Sequence, residues 1–120
     1  MRLNSGNASE GPKRLLIRAV GPSLGLPPFN LTGVLTDPEL TVYRRETNGS
    51  ETLILHIDDW GDGDATETAA VANEVYAFAL ADGSKDAAFV VTLNPGVYTV
   101  HAHGVGDTTG TVIVEVYEVP

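Results

Sequence analysis

The sequence predicts an all-β domain, an antiparallel two-layer sandwich of about seven to eight strands with one short helix. Three observations carry this expectation. Apolar and polar residues alternate over short runs, the pattern of strands with one buried face. The runs recur at the roughly 8–12-residue spacing of sandwiches and barrels. Clusters rich in the chain's 13 glycines and 7 prolines separate them.

The elements follow in order. Residues 1–12 are polar and glycine-rich and are expected to form a flexible tail, which leaves 13–120 as one domain. Arg14 to Val20 is an apolar run closed by Gly21-Pro22, the mark of a strand buried on both faces. Four prolines (Pro22, Pro27, Pro28, Pro38) make 21–38 an irregular connection, interrupted by a short strand around Gly33-Val34-Leu35. Glu39 to Arg44 alternates with Leu40 and Val42 inward, and Thr52 to Ile57 with Leu53, Leu55 and Ile57 inward. Asn48-Gly49 between them predicts a hairpin with its tip at 47–50 and positive φ at both central residues.

Asp64-Ala65-Thr66-Glu67 matches a capping box, and Ala69, Ala70, Val71, Ala72 and Val75 follow at helical spacing. A helix of two to three turns is expected, with 76–81 continuing it or forming a strand. Three strands close the chain: Ala87 to Leu93, Val97 to His103 and Thr111 to Val119. Tyr98, Val100 and Ala102 point inward in the second, and Val112, Val114 and Val116 in the third.

Charge and composition exclude several functions. Lys+Arg is 7 against Asp+Glu 16, a net charge of -9, so the basic stripe that releases counterions from nucleic acid is lacking. Zero cysteines exclude a disulfide framework, a thiol nucleophile and thiolate metal sites. No run approaches the ~18 apolar residues of a membrane span. The start, Met1-Arg2-Leu3-Asn4, has no apolar leader core, which implies either a cytosolic protein or a fragment of a longer secreted chain.

Two places carry candidate chemistry. Asp58-Asp59-Trp60-Gly61-Asp62-Gly63-Asp64 gathers carboxylates on a glycine-rich turn, as hard cations require. Its spacing is not that of a helix-loop-helix calcium loop, because the third position from Asp58 is Trp60 and the sixth from Asp62 is Glu67. The cation candidates are therefore Asp58, Asp59, Asp62 and Asp64, set against a solvated loop in which Asp64 caps the helix. Trp60 either stacks on a ligand or plugs the end of the core.

His101-x-His103 is the second place, since alternate residues share a strand face and two imidazoles can hold one transition metal. With Gly96 before and Asp107 after, the run resembles the first metal motif of cupins. It departs from that motif in spacing, and the second cupin motif is missing. No nucleophile elbow surrounds Ser23, and the Gly104–Gly110 loop lies between strands rather than before a helix, so it makes no phosphate cradle.

The segments PKRLLIRAVGPSLG, TGVLTDPELTVYR, DDWGD and GSKDAAFVVTLNPGVYTVHAHGVGDTTGTVIVEVYEV together resemble a module repeated near the C-termini of large secreted proteins of environmental bacteria. That module is similar to the bacterial pre-peptidase C-terminal domain. The resemblance covers 12–119 and implies a jelly-roll-like sandwich, an extracellular setting and a non-catalytic accessory role, sometimes with calcium. It also implies Asp58, Asp59 and Asp62 as the first cation ligands. Relatives carry an extra apolar strand before the PKR block, and Met1 to Gly11 holds none. A sheet edge left open in this way invites strand addition from another chain, hence self-association.

The expected function is a structural or adhesive module of a secreted or surface bacterial protein. Its partners would be neighbouring domains or a second copy, with no nucleic acid and no membrane insertion. The alternative is an extracellular polymer or glycan-binding module, Ca2+-assisted; a third reading is a metal-dependent jelly-roll enzyme. No cofactor is expected apart from Ca2+ as a candidate. A buried Trp60 favours the structural reading, and an exposed one beside a groove favours glycan binding.

Overall fold

Two antiparallel sheets face each other across one core. The computed structural model describes residues 2–3 and 11–120. Its strands are β1 (Arg2–Leu3), β2 (Lys13–Val20), β3 (Pro38–Arg45), β4 (Glu51–Ile57), β5 (Ala87–Leu93), β6 (Gly96–Gly104) and β7 (Ile113–Glu118). One sheet has the order β1-β6-β3-β4 and the other β5-β2-β7. The all-β sandwich with one short helix is as the sequence predicts. Six strands are of full length rather than seven to eight, and β1 adds only two residues beside Val97 and Gly96 of β6. The expected tail therefore contains a pairing segment at Arg2–Leu3, and its remaining residues before Gly11 lie outside the described ones.

Strand β2 is central because both its faces are apolar. Leu15, Ile17 and Ala19 pack between the sheets with Leu40, Val42, Leu55, Ile57, Ala87, Leu93 and Tyr98. Fully burying a large apolar side chain is worth about 1.5–3 kcal/mol, so this layer is the main source of cohesion. On the opposite face Leu16 packs with Val71, Ala72 and Val119. The helix α1 (Ala65–Glu74) supplies two of these and covers the outer side of the second sheet.

Asp64 caps α1 by accepting from the Glu67 amide at 3.0 Å. At the other end Ala77 N donates to Ala72 O at 2.9 Å and Tyr76 N to Asn73 O at 3.3 Å, with Tyr76 at φ 62°. This pair of bonds with a left-handed residue stops a helix. Residues 77–81 consequently neither continue the helix nor form a strand.

The β3–β4 hairpin corrects the sequence in two respects. Only Gly49 of the expected pair takes positive φ, at 89°. Gly49 N donates to Glu46 O at 3.0 Å and Glu46 N to Ser50 O at 2.8 Å, so the loop spans 46–50. The ladder also slips between Val42 and Tyr43, pairing Leu55 with Val42 but Leu53 with Tyr43. Such a one-residue bulge reverses the facing of everything beyond it. Leu53, expected inward, is 57% exposed for this reason.

The short strand expected around Val34 is a single parallel bridge to Thr111, and the final strand is shorter than expected. Val114 and Val116 lie opposite Ala19 and Ile17 but remain 45% and 43% exposed. Gly21 is fixed by space: a Cβ there would stand 2.0 Å from Leu35 O.

Candidate functional site

The open ends of β3 and β4 meet because Leu40 pairs with Ile57. Asp37, just before β3, therefore lies beside Asp58 and Asp59, just after β4. One carboxylate oxygen from each lies within 4.8 Å of the other two. Asp37 Oδ1, Asp58 Oδ1 and Asp59 Oδ1 are all buried without a hydrogen-bond partner. Lys85 Nζ approaches Asp37 Oδ2 only to 4.0 Å. Burial, followed by the Asp37 and Asp59 carboxylates, pushes Asp58 up to about 6. Like charges this close resist joint ionisation unless a cation joins them. Ca–O bonds of about 2.3–2.6 Å span the cluster, and Ca2+ takes carboxylate oxygens from flexible turns.

Two sequence candidates are used elsewhere. Asp62 sits in a short 3-10 turn (Trp60–Asp62), where its Oδ2 accepts from Asp59 N at 3.3 Å. Asp64 is the helix cap already described. Asp58 and Asp59 are brought together, and Asp37 completes the group. The signal for Asp37 was present in the hairpin: pairing outward from a tip at 47–50 brings the residues before Pro38 against those after Ile57.

Trp60 is 6% exposed, and its indole N–H donates to Ala81 O at 3.3 Å. It lines a pocket of about 220 Å³ between α1 and 77–82, together with Arg18, Thr68 and Ala72. Its ring is buried and forms part of that pocket's wall.

His101 and His103 make different contacts. His101 meets Tyr43 edge-to-face with centroids 5.6 Å apart. His103 Nε2 contacts Glu39 Oε1, while His56 Nε2 lies 3.0 Å from Glu39 Oε2. The paired imidazoles are thus split between an aromatic contact and a carboxylate on the outer face of the first sheet. His56 holds Glu39 below the ordinary carboxylate value against the opposing effect of burial, and His103 adds to the lowering.

Ser23 is buried, and its hydroxyl donates to Asp86 Oδ2 at 2.5 Å while accepting from Ala81 N at 3.2 Å. It closes a polar cage instead of exposing a nucleophile.

Fold and site together define a two-sheet antiparallel β-sandwich with an acidic corner where one loop and one hairpin end converge. The chain matches no protein-family model, no curated protein and no solved structure. No helix among the described residues is long and apolar enough to cross a membrane.

Proposed function

We propose that this chain is a non-catalytic structural or adhesive module of a secreted or surface bacterial protein, with Ca2+ clamping its acidic corner. The observation that carries the proposal is the trio of buried, unpartnered oxygens on Asp37, Asp58 and Asp59. An ion there joins the loop entering β3 to the turn leaving β4, so its binding energy tightens the fold. Extracellular modules bind Ca2+ at about 10⁻⁴–10⁻³ M, a range that suits three carboxylates on a surface turn. The resemblance to the pre-peptidase C-terminal domain supports the extracellular setting. Buried Trp60 favours the structural reading over glycan binding.

The test is thermal unfolding with Ca2+ and after chelation. A ligand at ten times its Kd stabilises by about 1.4 kcal/mol. For a domain of this size the melting temperature then rises by roughly 3–6 °C. Chelator reverses the rise, and Asp58→Asn removes it. An unchanged melting temperature in about 10 mM Ca2+, ten times the weakest Kd of that range, would overturn the proposal.

A further inference from the structure

Among the described residues, β7 has a ladder partner on one side only, because the second sheet ends there. Free edges of this kind are usually blunted by proline, charged side chains, inward-pointing charges, bulges or a covering segment. The edge β4 has the slip opposite Val42 and Tyr43. The edge β7 has no proline, lysine or bulge, and its two charges, Glu115 and Glu118, are ion-paired to β2: it reads Ile113-Val114-Glu115-Val116-Tyr117-Glu118 and pairs with β2 without interruption from Val20↔Ile113 to Leu15↔Glu118. Ile113, Val114 and Val116 are 41%, 45% and 43% exposed.

We propose that two copies of this chain join edge to edge through β7, with the two strands antiparallel about a twofold axis. The order β5-β2-β7 then continues into the partner's β7, β2 and β5 as one sheet.

Three features select a second copy as the occupant. An isologous contact requires a strand complementary to itself. With Glu115 on the axis, Val114 lies opposite the partner's Val116 and Ile113 opposite the partner's Tyr117. Every apolar residue then meets an apolar one on the same face, and the four valines form one patch. A shift by one residue sets the valines of the two copies on opposite faces and loses that patch.

Charge is the second feature. Glu115 is ion-paired to Arg18 at 2.7 Å and Glu118 to Lys13 at 3.0 Å, both from β2. The carboxylates of the edge are neutralised within each chain, so they do not repel their counterparts across the axis. The third is backbone: an unbroken six-residue edge presents its outward N–H and C=O groups in the spacing another antiparallel strand needs. The inference does not depend on the calcium clamp.

Analytical ultracentrifugation over a range up to millimolar protein tests it on the wild-type chain, on Val114→Lys/Val116→Lys and on the control Leu53→Lys, which alters the exposed side chain of β4. The wild type is expected to dimerise, the β7 pair to raise the dimer Kd by more than about tenfold, and the control to leave it unchanged. Far-UV circular dichroism confirms that each variant is folded. Amide hydrogen exchange on the wild type, free of any folding effect, is expected to slow at β7 as concentration rises. A wild type that stays monomeric, equal loss of dimer in both variants, or β7 exchange independent of concentration would each sink the proposal.

Discussion

Arg18 of β2 and Glu115 of β7 form an ion pair inside the protein. The guanidinium has no exposed surface and reaches Glu115 Oε1 at 2.9 Å through Nε and at 2.7 Å through a terminal nitrogen. Its other terminal nitrogen donates to Phe78 O at 2.7 Å, and the Phe78 ring lies 4.4 Å away. Tyr117 donates its hydroxyl to Glu115 Oε2 at 2.8 Å. Burial, then Glu115, raises the Tyr117 hydroxyl above its ordinary value. A charge in mid-strand thus stays buried because Glu115 and the Phe78 carbonyl pair with it, although the terminal nitrogen nearest Glu115 makes an ion pair without a well-aligned hydrogen bond.

Glu115→Ala removes the counter-charge and strands the guanidinium. Breaking one partner of a buried pair costs about 3–5 kcal/mol, whereas replacing both by apolar residues of similar volume is close to neutral. Urea unfolding is expected to show the large loss for Glu115→Ala and a much smaller one for Arg18→Met/Glu115→Leu. Equal losses would mean that the pair acts through packing alone.

Asp86 is wholly buried and accepts from Gly21 N at 2.9 Å, Ser23 N at 3.2 Å, Ser23 Oγ and Ser84 Oγ. Its own carbonyl accepts from Trp60 N at 2.8 Å. The residue therefore ties the turn after β2 to the entry of β5. Asp86→Ala leaves four donors without their acceptor, each worth about 1–3 kcal/mol when buried and unsatisfied. A destabilisation of at least about 3 kcal/mol in chemical denaturation is expected, with Ser84→Ala costing clearly less.

The acidic corner makes stability depend on pH. Asp58 rises from 3.8 to about 6 on folding, so the folded state holds its proton more tightly than the unfolded state. Such a group stabilises fully below the unfolded value and loses that contribution as pH rises through the folded one. Without Ca2+, the wild type is therefore expected to lose stability between about pH 4 and pH 7 relative to Asp58→Asn. Saturating Ca2+ reverses the difference at pH 7 and does so weakly at pH 5, because the ion requires the ionised carboxylate. Melting curves at several pH values, with and without Ca2+, check both signs.

Tyr76 ends α1 in a left-handed conformation, φ 62°, with its side chain 95% exposed. The ring contributes little burial, while an L-residue in that region costs roughly 1–2 kcal/mol that glycine avoids. Tyr76→Gly is expected to raise stability by about 1 kcal/mol in denaturant titrations. This is the reverse of the usual effect of a glycine substitution.

Alternation and turn chemistry made most elements legible. Strand β5 coincides with its expected span, and Tyr98, Val100 and Ala102 join the core as their spacing implied. Asp64 caps the helix by the local bond that its capping-box pattern predicts. Leu53 was illegible because the slip opposite Val42 and Tyr43 leaves no mark on a strict alternation. Tyr76 was illegible because nothing local makes tyrosine a helix stop, and the bonds to Ala72 and Asn73 hold it there.

By itself the sequence determined the class of fold, the hairpin, the capped helix and the acid-rich turn, because each shows in local periodicity, turn chemistry or composition. Tertiary structure alone decided that Asp37 joins Asp58 and Asp59, that Trp60 is buried, that His101 meets Tyr43 while His103 meets Glu39, and that Arg18 meets Glu115. Those outcomes depend on which strands lie side by side and in what register, and the free energy that selects them comes from packing between distant segments.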